Sequence, residues 1–403
     1  MKTFLKLIVA LVVSLMALTV SAQQAGVAPD VAARLLLADS TGIVHVMDTV
    51  TGEIVTTFDL HEENEEAARL YVGPNEQHVF AVLRTSNMVR VLDSGYVSGS
   101  NGADLADPAL LEFSLQTMMP THFDIYGDNI VSFNDGDGSV TVFTEDIFNG
   151  GGTTTTFFTG LSHHGVGVMV DDTLIATNPT TESRLPVGPA VFNADGEIVA
   201  SFDNCPGLHG KAILAGDRVA FGCDDGVSII SRSGDTWETT KIAEDAEARI
   251  GNFTYQAETG VLLGNWGDDS YALVDVDAQT ISEVSLPLNI WLAPPAFNPL
   301  NANEVVVLTQ DGSLHTVEAT TGEVVATAAE IITAYEEPAD ENTRAPRPAL
   351  AISGSYAYLS DPTGGTVHVI NLSDMSEVAV MDLGVHITSI AVLGATSVTG
   401  SGI

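Results

Sequence analysis

Positive charge is scarce in this 403-residue chain. Its 14 lysines and arginines stand against 53 aspartates and glutamates, for a formal net charge of −39. A surface of that sign repels the phosphates of nucleic acid and of anionic lipid, so neither is an expected partner. Cysteine is nearly missing as well: there are two. That is too few for a disulfide-framed scaffold or a four-cysteine zinc cluster. Beyond residue 20 no apolar run is long enough to cross a bilayer as a helix, so membrane insertion is not expected. Helical periodicity is almost absent. There is no G-x-S-x-G elbow and no H-E-x-x-H helix. Gly150–Gly152 does not join a strand to a helix, which excludes a phosphate loop. No catalytic set emerges, and the expectation is a protein that is not an enzyme.

What is present starts at the N-terminus. Lys2 and Lys6 precede an apolar stretch from Leu7 to Val20, and Val20-Ser21-Ala22 supplies small residues before Gln23. This pattern predicts a secretory signal peptide over residues 1–22, cut after Ala22. No cysteine follows the cut, which argues against a lipid anchor. Residues 23–33 read as a flexible leader and residues 34–403 as one domain. The expected location is the periplasm. Export also changes the meaning of Cys205 and Cys223: an oxidising compartment and an even count predict a disulfide between them.

The rest of the chain is an internal repeat. The stretches 44-VHVMDTVTGEIVTTFDL-60, 314-LHTVEATTGEVVATAAE-330 and 367-VHVINLSDMSEVAVMDL-383 each read as strand, polar turn, strand. Two further strands precede each copy, giving a unit of four strands over about 40–50 residues, the period of a β-propeller. With strands lettered A to D outward from the channel, A strands are expected at Arg69–Gly73, His122–Tyr126, His164–Val170, His209–Leu214, Ile250–Tyr255, Leu292–Phe297 and Pro348–Ser353. An eighth, His386–Leu393, has no B, C or D after it. The N-terminal strands Leu35–Ala38, Ile43–Met47 and Glu53–Phe58 have no A before them. The fold class is therefore all-β, an eight-bladed propeller closed by strand exchange between the two ends. Seven blades is the alternative, because blade 2 is irregular around residues 94–109.

This frame places side chains on one face, where A strands begin and the D–A and B–C loops lie. His122, His163 with His164, and His209 begin blades 3, 4 and 5, and His386 begins the closing blade. Imidazole is a common zinc ligand, and three or four such donors suit a tetrahedral ion. Carboxylates are close by: Asp124 in the strand of His122, and Asp135 in the B–C loop of blade 3. A single histidine at a strand start is ordinarily a packing residue; recurrence in three adjacent blades is what points to a metal. His45, His315 and His368 recur inside C strands and read as structural. The D–A loops of the same face are acidic, and 59-DLHEENEEAA-68 sets His61 and Glu62 in a candidate accessory site for zinc acquisition, with His386 beside it.

His163-His164-Gly165, Cys205-Pro206-Gly207-Leu208-His209-Gly210 and Phe221-Gly222-Cys223-Asp224-Asp225-Gly226 resemble motifs of the AztD family. Members are periplasmic zinc metallochaperones that serve an ABC-type zinc importer and its solute-binding protein. The resemblance implies a propeller that binds zinc (Zn2+) and hands it to that solute-binding protein, acting as a monomer. It makes His122, His164 and His209 the leading metal ligands, with Asp135, Asp124 or His163 next. The family's histidine-rich N-terminal segment has no counterpart in 23-QQAGVAPDVAARL-35. Two rivals to a zinc carrier are a metal-dependent propeller hydrolase or lactonase, and an interaction scaffold in which the histidines only pack.

Overall fold

The structure, a computed structural model, describes residues 33–394 apart from 50, 63–66, 98–104, 244–248, 268, 290–294 and 336–346. The signal peptide, nearly all of the leader, residues 395–403 and much of the acidic D–A loops lie outside the described residues.

Eight four-stranded antiparallel sheets form the molecule, so the count is eight and not seven. Seven sheets are built from consecutive strands. The eighth joins Arg34–Asp39, Ile43–Asp48 and Glu53–Asp59 to the C-terminal strand Ile387–Leu393. Arg34 pairs with Leu393 and Ala38 with Ser389. The exchange works because the closing strand is apolar on both of its sides. Ala391 and Leu393 enter the core shared with blade 2, while Ile387 and Val392 enter the core shared with blade 8.

The same two-sided logic builds every blade. Successive residues of a strand point to opposite faces of the sheet, and each face meets a neighbouring blade. In blade 3, Phe123, Ile130 and Phe143 pack against Phe80 and Val91 of blade 2. Val131, Phe133 and Val140 turn the other way, onto Leu174 and Phe192 of blade 4. Burying one such side chain contributes roughly 1.5–3 kcal/mol. Outer strands have no neighbour beyond them, so Glu53–Asp59 and Ile198–Ser201 are largely exposed.

The A strands are Arg69–Val72, Pro120–Tyr126, Gly167–Val170, Lys211–Leu214, Phe253–Gln256, Ala296–Asn298, Leu350–Ser353 and the closing Ile387–Leu393. Blades 4 and 6 therefore start three residues later than the sequence pattern suggests, and blade 5 two residues later. Gly165, Gly210 and Gly251 stand in these approaches, where the chain bends over the channel mouth before it straightens. Among the described residues no helix is long and apolar enough to cross a membrane.

Candidate metal centre

Two of the three candidate ligands stand just before an A strand and one stands within it. His122 lies within its strand, just after a register shift between Pro120 and His122. His164 and His209 sit on the approaches to blades 4 and 5. The approach to blade 5 is fixed at both ends. Cys205 and Cys223 form a disulfide with Cα atoms 5.0 Å apart, as the export argument expected. Backbone bonds run from His209 N–H to Gly222 O at 3.1 Å and from Gly222 N–H to Gly210 O at 2.9 Å. The approach to blade 4 needs glycine. A Cβ on Gly165 would overlap Thr177 Oγ1, Phe133 Cζ and His163 Nε2.

Three imidazoles converge. His122 Nε2 is 3.4 Å from His164 Nε2, which is 3.0 Å from His209 Nε2. One ligand atom from each lies within 4.8 Å of the others, a group that could hold a metal ion. A tetrahedral zinc ion with bonds of ~2.0–2.1 Å separates its nitrogens by about 3.3–3.4 Å, so the spacing suits one.

Outer contacts orient two of the rings. The Nδ1–H of His209 donates to Gly251 O at 2.6 Å, and that of His164 to Asp135 Oδ2 at 2.8 Å. Each bond places the proton on Nδ1 and leaves Nε2 as a lone pair. Burial, then the nearby cations and imidazoles, holds His122 well below the ordinary value of 6.5. His209 is pressed down to about 4, first by burial, against the pull of the Gly251 carbonyl. The centre thus presents lone pairs to one another at hydrogen-bond distance, an arrangement a cation would satisfy.

Asp135 stands behind His164. Its Oδ2 also accepts from Arg84 Nη2 at 3.0 Å, and its buried Oδ1 has no hydrogen-bond partner among the described residues. Burial alone would raise this carboxyl, but the hydrogen bonds from His164 and Arg84 outweigh it and hold it low. Asp124 does not reach the trio: it pairs with Lys211 Nζ at 2.9 Å. His163 is turned away from it. Its Nδ1 bonds Leu161 O at 2.9 Å, its Nε2 bonds Thr177 Oγ1 at 2.7 Å, and its ring meets Phe133 edge-on. His386 and His61 are exposed and outside the trio; His61 Nδ1 is 3.0 Å from Thr41 O, and Glu62 beside it is exposed. His45, His315 and His368 are bonded within their own blades, to Asp39, to Thr309 and Thr327, and to Thr366 and Glu377.

Sequence reasoning missed Arg84 and Lys211. Arg84 lies in the turn after strand His78–Leu83, and Lys211 reads as an ordinary strand residue. A cation two residues from a candidate ligand was the available signal.

Fold and site together define an eight-bladed propeller with an imidazole cluster able to hold a metal at the mouth of its channel. Zinc chaperone AztD of Citrobacter koseri is 26% identical over 384 residues, 91% of this chain and 88% of that protein. The structure of apo AztD from Citrobacter koseri matches with a TM-score of 0.77 and 24% identity, covering 91% of this chain and all of that one. The resemblance drawn from the short motifs thus extends over nine-tenths of the chain. A more distant likeness, at 12% identity and a TM-score of 0.61, is to dihydro-heme d1 dehydrogenase NirN, covering 90% of this chain and 75% of that one. No family model matches the chain.

Proposed function

We propose that this protein is a periplasmic zinc carrier. It holds zinc through Nε2 of His122, His164 and His209 and passes it to the solute-binding protein of an ABC-type importer. The observation that carries this reading is the convergence of those nitrogens, two of them oriented by acceptors behind the ring. The relative at 26% identity is named a zinc chaperone, which supports zinc as the cargo and a role other than catalysis. The disulfide fits an oxidising compartment.

The chemistry favours carriage over turnover. Three neutral donors leave a tetrahedral ion one open position, which an incoming ligand can occupy before a histidine lets go. A hydrolase would use that position for water and would need a carboxylate base. The candidate carboxylates Asp135 and Asp124 are instead engaged by Arg84 with His164, and by Lys211. In this reading Asp135 orients a ligand and does not bind the metal. His61 with Glu62, and His386, serve on the same face as weak collecting points. The protein acts as a monomer.

The test is a zinc titration of metal-free protein against a chromogenic chelator. Wild type should take up a tight equivalent. His122→Ala, His164→Ala and His209→Ala should each abolish it; unchanged stoichiometry in all of them would overturn the assignment.

A further inference from the structure

His122 and Asp124 point to the same side of their strand, because Phe123 between them enters the core with blade 2. Lys211 opens the strand that follows His209, and its neighbour Ala212 turns into the core with blade 6. Asp124 and Lys211 therefore project toward blade 4 from its two sides. There Lys211 Nζ meets Asp124 Oδ1 at 2.9 Å, with side chains 11% and 8% exposed. The strand of blade 4 that they flank begins at Gly167, whose carbonyl oxygen Tyr126 OH reaches at 3.4 Å. A buried ion pair so made forms a floor about two residues below the imidazoles.

This floor is odd beneath a cation site. A carboxylate one strand step from His122 is the natural fourth donor, yet a lysine holds it. The lysine also puts a fixed positive charge near the place where a doubly charged ion would sit, and the pair is little screened by solvent.

We infer that Lys211 withholds Asp124 from the bound ion, so that this buried pair keeps zinc three-coordinated by protein and sets how fast it leaves. The inference rests on the three-histidine reading above.

The experiment compares zinc affinity, and the rate of zinc loss to excess chelator, in wild type, Lys211→Met, Asp124→Asn and the double variant, with melting curves for each. Freed of the lysine, the carboxylate should raise affinity at least about tenfold and slow release in Lys211→Met. Asp124→Asn, which leaves the lysine charge unbalanced, should weaken binding at least about tenfold. The double variant, neutral at both positions, should return to within about threefold of wild type. If the pair is only a clip between blades, both single variants will weaken zinc binding, and the inference falls. It also falls if Lys211→Met binds as wild type does. Should Lys211→Met fail to fold, removing the lysine in the Asp124→Asn background must still tighten binding; if it does not, the idea is wrong. A wild-type protein that binds no zinc would instead overturn the proposed function.

Discussion

The Nδ1–H of His164 donates to Oδ2 of Asp135 at 2.8 Å, and the same oxygen accepts from Arg84 at 3.0 Å. A carboxylate in this position fixes the ring and makes the far nitrogen more basic. Replacing it by an amide keeps the shape but loses the charge. Asp135→Asn should therefore weaken zinc binding by about 10–100-fold while the protein stays folded. Chelator competition measures the affinity and circular dichroism the fold. Zinc affinity equal to wild type would remove Asp135 from the centre.

His209 makes a prediction for pH. Its folded value is about 4, against an ordinary 6.5 in the unfolded chain. As pH falls through 6.5 the unfolded state takes up this proton first, and the folded state follows only near 4. Stability of the metal-free protein from this group is therefore full above 6.5 and is lost across that window, after which the loss levels off. His122 acts in the same direction. The melting temperature of metal-free protein should drop between about pH 7.5 and about pH 5, and His209→Gln should shrink that drop. An identical drop in both proteins would show that His209 carries no such penalty.

The bridge between Cys205 and Cys223 spans 18 residues and anchors the approach that presents His209. Closing a loop of that size stabilises the fold by about 3 kcal/mol in the chain-entropy account. Cys205→Ser/Cys223→Ser should melt at lower temperature. It should also lose zinc faster to excess chelator, because the segment from 205 to 210 then loses its one covalent tie to the strand of blade 5 and keeps only hydrogen bonds and the packing of Leu208. Unchanged zinc release would leave the bridge a purely structural role.

Much of this architecture was legible in the amino-acid sequence. Alternating apolar residues, turn residues and a repeat of three recognisable copies defined the blades. The unmatched strands at the two ends defined the closure. His122, His164 and His209 stood out because the same structural position recurred in three neighbouring blades. His163 was harder to separate from His164. The two are adjacent in sequence, and only the folded backbone, with its bend at His164, turns one toward His122 and His209 and the other onto Phe133 and Thr177.

Local pattern by itself determined the all-β class, the propeller and the candidate imidazoles, because strand alternation and turn chemistry act over a few residues and repeat along the chain; the structure decided eight blades over seven. Tertiary structure alone decided how the carboxylates divide. Asp135 meets His164 and Arg84 from other blades, and Asp124 meets Lys211 across blade 4. These pairings join residues about 30 to 90 positions apart, and no periodicity encodes them. They exist because eight packed sheets bring the beginnings of separate strands to one mouth, where charge and hydrogen bonding, not sequence spacing, choose the partners.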